Sequence, residues 1–253
     1  MSHPHRFFAP YDEITVARVP LPPEEAHHAL RVARLKQGDR VSVINGRGDE
    51  ISGTLMAPGR RDAFVEVLER RHCSPPRVAV TLAPGGLHQD KLQQEIIRRA
   101  VETGVSRVCF WQADHSQKSI AFQERWLRTA VESCKQCGRF YLPVIDTAPS
   151  LEAFLEQYSG PGIIGLPEAD PTAPVTVELT DRLAVLVGPE GDFSTREKAI
   201  AADFGMAPVS LGGYVYRSET AAAFLMTLVA DRLGELGPAL TVTSKVCSGE
   251  GME

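Results

Sequence analysis

Residues 183–233 constrain the fold of this chain more than any other stretch, because two apolar runs there alternate with two helical patterns through glycine turns. Leu183 to Val187 is continuously apolar and is stopped by Gly188-Pro189-Glu190-Gly191, which predicts a buried parallel strand feeding a tight turn. A second run, Pro208 to Leu211, passes through Gly212-Gly213 and Tyr214-Val215-Tyr216-Arg217 into a helix that Ser218 is expected to cap. Both turns fall at the carboxyl ends of strands. In open α/β sheets ligands gather at that edge, since its loops expose backbone N–H and C=O groups to a crevice between the flanking helices.

From Arg77 onward the same alternation holds: strand 78–83, helix 89–103 stopped by Gly104, strand 107–111, helix 122–137, helix 150–158 and strand 162–166. The part before it differs. Pro23 to Leu35 reads as a short helix, and Arg40–Ile44, Ile51–Met56 and Ala63–Leu68 read as strands, with Asn45-Gly46 as a hairpin turn. Arg70 to Pro76, with its paired prolines, marks a boundary. The expected organisation is therefore an N-terminal β domain over residues 1–72, an α/β domain over 73–237 and a tail, 238–253, that lacks periodicity.

A chain of 253 residues with 43% hydrophobic content can bury two cores of this size. No run of about 18 apolar residues suggests a membrane span, and the start MSHPHRFF is too polar for a signal peptide, so a cytoplasmic location is expected. Five cysteines, an odd number, argue against a disulfide framework. Cys134 and Cys137 form a CxxC without a second ligand pair, which reads as two thiols on a helix, and no metal is expected. Charge is uneven: residues 73–145 hold 10 Lys/Arg against 6 Asp/Glu, whereas residues 146–253 hold 6 against 16. A chain whose first part is basic and whose last part is acidic could offer a polyanion only one face.

Taken together, GPEGDF at 188–193 and LGGYVYRSETA at 211–221 resemble the paired signatures of the SPOUT superfamily of RNA methyltransferases, and within it the family that methylates N3 of a uridine in 16S ribosomal RNA. The likeness extends over nearly the whole chain. Arg6-Phe7-Phe8 resembles that family's N-terminal RFF, HHALRVARLKQGDRVSVINGRGDE its RNA-binding PUA-like segment, Lys91 with Glu102-Thr103-Gly104-Val105 its lysine-bearing helix, and Gln136-Cys137-Gly138-Arg139 with Pro143 its EQxxR element. The resemblance implies a parallel sheet tied in a deep trefoil knot, a PUA-like β-barrel, a homodimer, S-adenosylmethionine as cofactor, and 16S rRNA or the small ribosomal subunit as partner.

By the same resemblance the cofactor cavity is lined by Leu166, Leu186, Gly188, Glu190, Gly191, Leu211, Gly212, Val215, Tyr216 and Arg217. Arg217 is the catalytic candidate, because a guanidinium near the uridine imide favours its anion, with Glu190 or Glu219 accepting the proton or holding Arg217. Arg6, Arg31, Arg34, Lys91 and Arg139 are candidates for RNA contact, and Phe7 and Phe8 for either base stacking or the core. The sequence departs from the family pattern at Asp192 (usually glycine), Lys135 (usually glutamate), Tyr214 (commonly basic) and 112–116, which lacks an arginine before Ser116. Two alternatives stay open: a SPOUT enzyme for another rRNA or tRNA position, and a non-catalytic RNA-binding ribosome-assembly factor.

Overall fold

A computed structural model describes residues 5–11, 17–59, 62–116, 118–173 and 175–236. The 238–253 tail lies outside them.

The N-terminal part is a five-stranded mixed sheet in the order β1-β3-β4-β5-β2, built from β1 (His5–Phe8), β2 (Arg18–Pro20), β3 (Arg40–Ile44), β4 (Asp49–Met56) and β5 (Phe64–His72). β4 alternates buried and half-buried positions along its length, the period-2 pattern of a strand with one face on a core. That core holds Phe7, Val19, Val41, Val43, Ile51, Leu55 and Val65. The β3–β4 turn is a hairpin, but of four residues: Gly46 and Gly48 carry the positive φ angles (74° and 101°), while the Asn45 side chain accepts from the N–H groups of Arg47 (2.8 Å) and Asp49 (3.1 Å). The expected 23–35 helix is shorter, α1 (Pro23–His27), and runs on as a π turn over His28–Val32. Arg34 follows it in the left-handed region, φ 55°.

From residue 79 a six-stranded, all-parallel sheet forms: β6 (Ala79–Pro84), β7 (Arg107–Trp111), β8 (Val144–Ala148), β9 (Gly162–Gly165), β10 (Arg182–Val187) and β11 (Ala207–Val209), in the order β11-β9-β10-β6-β7-β8. After β8 the chain crosses to the far side of the sheet, and β10 then inserts between β9 and β6. Both faces are covered, which explains the near-continuous apolar strands. On one face α2 (Asp90–Glu102), α3 (Glu124–Cys137) and α6 (Ser218–Arg232) pack on Val80, Leu82, Val108, Phe110, Val185 and Val187. On the other, α4 (Leu151–Gln157) and α5 (Thr195–Asp203) pack on Ala83, Cys109, Trp111, Ile164 and Leu186. Among the described residues no helix is long and apolar enough to cross a membrane.

The two sheets are joined through both side chains and backbone. Ile44, at the end of β3, sits in the core of the parallel sheet, and Leu142 N–H donates to Gly46 O at 2.9 Å. Lys135 on α3 reaches Glu25 of α1 at 2.8 Å, and Arg6 of β1 donates to the Lys135 carbonyl at 2.9 Å.

Candidate active site

A cavity of about 850 Å³ opens where the carboxyl ends of β9, β10 and β11 converge. Each strand contributes the loop that follows it: Gly165 to Glu168 after β9, Gly188, Pro189, Glu190 and Asp192 after β10, and Leu211 with Tyr214 to Arg217 after β11. Gln89 and Leu92 at the start of α2, and Ser218, Glu219, Ala221 and Leu225 of α6, close the remaining walls. The sequence builds this concavity locally. At Gly165 a Cβ would come within 2.7 Å of Leu225 Cδ1, so glycine lets α6 pack against the end of β9. Gly212 has φ +99°, a conformation open to glycine at little cost, which folds the β11 loop back over the cavity.

The GPEGDF turn is anchored by its aromatic residue. Phe193 is 5% exposed and stacks on Trp111 with ring centroids 5.6 Å apart. The Trp111 indole donates to Ala83 O at 3.0 Å, fixing the platform. Asp192, where the resembled family has glycine, stands in the left-handed region at φ 62°. This explains why glycine suits the position, and aspartate is among the few other residues that tolerate it. The Asp192 carboxylate accepts from Lys198 of α5 at 3.0 Å, and Lys198 also donates to Glu168 at 2.6 Å, so one ammonium ties the β10 loop to the β9 loop. The hydrogen bond to Glu168 raises the Lys198 pKa and lowers that of Glu168, keeping both charged.

Of the cofactor-binding candidates, Leu166, Gly188, Glu190, Leu211, Val215, Tyr216 and Arg217 line the cavity. Three do not. Leu186 is fully buried and points to the opposite face of the sheet, into the α4–α5 core, because successive strand residues alternate. Gly191 lies past the corner, in an adjoining depression, and Gly212, with its positive φ, is a turn residue of the β11 loop that does not itself line the cavity. Sequence reasoning missed residues brought from a distance, among them Gln89 and Leu92 at the start of α2 and Ala221 and Leu225 of α6, and it missed Glu168, whose loop carries no turn signature. Ser218 does not cap α6: Arg217 holds the N-cap position with extended backbone (ψ 152°) and Ser218 is the first helical residue.

Arg217 and Glu219 thus stand together at the mouth of α6, and Arg217 has no ion-pair partner among the described residues. Glu190 also lines the cavity, its Oε1 accepting from His88 N–H at 3.0 Å. The RNA-contact candidates divide. Arg31, Arg34 and Lys91 are exposed. Arg6 is spent on Glu50 (3.2 Å) and the Lys135 carbonyl, and Arg139 donates to the carbonyls of Val101 and Gly104 that end α2, at 3.2 and 3.1 Å. Phe7 is 1% exposed and belongs to the core, leaving no face for a base; Phe8 packs at the edge of the second core. Cys134 is buried, with its thiol pushed up to about 12 by desolvation, and no metal-ligating cluster occurs among the described residues.

A parallel sheet whose three strand-end loops close on one concavity is the arrangement of an α/β enzyme that holds a small organic cofactor. The family described as "RNA methyltransferase domain" matches residues 74–230, and the "RNA methyltransferase PUA domain" matches residues 21–68. The chain belongs to this family of RNA methyltransferases. Among curated relatives, the ribosomal RNA small subunit methyltransferase E of Synechocystis sp. is 27% identical over 229 residues, covering 86% of this chain and 74% of the relative. The protein of the same name from Aquifex aeolicus is 28% identical over 205 residues, covering 79% and 89%. Among solved structures, a probable rRNA-methyltransferase from Porphyromonas gingivalis superposes with a TM-score of 0.77 at 29% identity, covering 90% of this chain and 98% of that one. A ribosomal RNA small subunit methyltransferase E from Neisseria gonorrhoeae, bound to S-adenosyl methionine, shares the fold with a TM-score of 0.79 at 21% identity, covering 91% and 98%.

Proposed function

We propose that this protein methylates N3 of a uridine in 16S ribosomal RNA, taking the methyl group from S-adenosylmethionine, and that it does so in the cytoplasm as a homodimer whose parallel sheet is tied in a trefoil knot. The observation that carries the reading is the convergence of the β9, β10 and β11 loops on a single cavity, in a chain of the RNA methyltransferase family. The cavity fits such a cofactor. Its volume lies within the range of about 300 to 1,000 Å³ usual for small-molecule sites, and its wall offers backbone groups on either side of Gly188, apolar surface at Leu166, Val209 and Leu225, and carboxylates at Glu190 and Glu219 that suit a cationic ligand.

When bound, S-adenosylmethionine supplies a methyl group already activated by the positive sulfur to which it is attached. The protein's share is to bring a nucleophile in line at about 3 to 3.5 Å and to keep water out. Uridine N3 must first shed its imide proton. Arg217, without a carboxylate partner among the described residues, would stabilise the anion that results, and Glu219, two residues along on the first turn of α6, would take the proton. Arg31, Arg34 and Lys91 are exposed cations for the RNA backbone. The homodimer is supported by the apolar surface beside the cavity, where Tyr214 (76% exposed), Val215 (82%), Phe224 (44%) and Leu228 (46%) lie open.

Incubation of the protein with S-adenosylmethionine and small ribosomal subunits lacking the modification, followed by mass mapping of the 16S rRNA, tests the reading. A single added methyl on the base of one uridine is expected. Methylation of a ribose or of another base, or none, refutes it, and light scattering checks the dimer.

A further inference from the structure

Beside the large cavity lies a depression of about 360 Å³ lined by Leu87, His88, His115, Ser116, Lys118 and the Pro189–Gly191 turn. The two share Pro189 and Glu190 as a common wall. Its backbone is held firmly. His88 N–H donates to Glu190 Oε1, Gly85 N–H to Val187 O at 2.8 Å, and Gly85 lies so close to Pro189 that a Cβ would approach its Cδ to 2.7 Å. On the other side the Ser116 hydroxyl donates to Gly86 O at 3.1 Å, and the Gln112 amide spans the loop, donating to Lys118 O (3.3 Å) and accepting from Ile120 N–H (2.7 Å).

Against this fixed frame the side-chain nitrogens of His88, His115 and Lys118 have no hydrogen-bond or ion-pair partner among the described residues. All three side chains are exposed, whereas Arg125 pairs with Asp90, Arg196 with Asp114 and Glu152, and Lys198 with Glu168 and Asp192. Glu190, the one carboxylate of the lining, is engaged by the His88 N–H. Two imidazoles and an ammonium gathered in one concavity, able to donate hydrogen bonds and left unpartnered by the protein, suit an anionic oxygen cluster.

We infer that this depression is a phosphate-binding subsite for the substrate RNA, holding the backbone of a nucleotide adjacent to the one that reacts. The assignment rests on the methyltransferase reading above, and on position: the depression shares the Pro189–Glu190 wall with the cavity that would face the reacting base.

Binding of a 16S-derived RNA fragment to His115→Ala, Lys118→Ala and Lys118→Arg proteins, over a range of salt concentrations and with S-adenosylmethionine affinity measured in parallel by calorimetry, tests this. The two alanine variants are expected to bind RNA several-fold more weakly, and Lys118→Ala to reduce the slope of log affinity against log salt by about 1. Lys118→Arg should restore binding, and cofactor affinity should stay within about twofold throughout. RNA affinity and salt slope equal to wild type would overturn the subsite, as would a parallel loss of cofactor binding in both alanine variants. Failure of the wild-type protein to bind S-adenosylmethionine would instead overturn the enzymatic reading, with the salt slope still judging the subsite.

Discussion

Lys135 of α3 and Glu25 of α1 meet at 2.8 Å with side chains only 6% and 11% exposed, so a nearly dry ion pair joins the two sheets. Burial costs Glu25 more than the pairing returns: desolvation raises its pKa above the ordinary carboxylate value of 4.5, and its Oε2 is buried with no partner. The folded protein therefore holds this proton more tightly than the unfolded chain. Stability from the protonated form is fully present below pH 4.5 and is lost as pH rises through the higher folded value. Glu25→Gln should remove that loss, so that urea midpoints of wild type and variant diverge as pH rises from about 4.5 towards neutrality; parallel curves would show that Glu25 does not titrate in this way.

Phe193 lies within the turn signature yet faces the core, stacked on Trp111. Phe193→Ala is expected to cost about 3 to 5 kcal/mol of stability and, by loosening the turn, to weaken cofactor binding as well. Denaturant unfolding and calorimetry report the two effects separately. A fully stable variant would mean that the β10 loop stands without this anchor.

Two positions in the loops have left-handed backbone, Gly212 (φ 99°) and Asp192 (φ 62°). Gly212→Ala adds a Cβ that meets no atom but forces a strained φ, a cost of about 1 to 2 kcal/mol. Asp192→Gly removes backbone strain but also releases Lys198 from the β10 loop, so it should leave stability nearly unchanged while weakening cofactor binding a few-fold. Asp192→Ala should be the less stable of the two Asp192 variants by about 1 kcal/mol, a ranking that thermal unfolding can check.

Arg217→Ala should keep S-adenosylmethionine affinity within a few-fold and reduce methyl transfer by at least about a hundredfold, the size of effect seen when one charge-stabilising donor is removed. Single-turnover transfer to small subunits, alongside calorimetry, separates the two. Transfer near the wild-type rate would move the catalytic role away from Arg217.

Strand existence was legible wherever burial on both faces made the sequence continuously apolar, as in Leu183 to Val187, and strand ends were legible wherever glycine stopped the run. β8 was not, because Val144-Ile145-Asp146-Thr147-Ala148 is an edge strand whose residues are mostly half-buried, leaving a mixed pattern after Pro143. The π turn at 28–32 was hidden as well, since its composition is that of an ordinary helix. Among site residues, the misplacement of Leu186 shows the limit of a motif: it names a segment, while the pleat decides that Val187 faces the cavity and Leu186 the opposite core.

By itself the sequence determined the parallel α/β class, the two glycine turns and the family signature, because these depend on local conformation and on hydrophobic runs read along the chain. Only the tertiary structure decided that Glu168, Gln89 and Leu225 share a cavity with Arg217, that Arg6 and Arg139 are taken up within the protein, and that His88, His115 and Lys118 stand together. The reason is the strand order: inserting β10 between β9 and β6 brings together loops far apart in the chain, and no local pattern records which strand lies beside which.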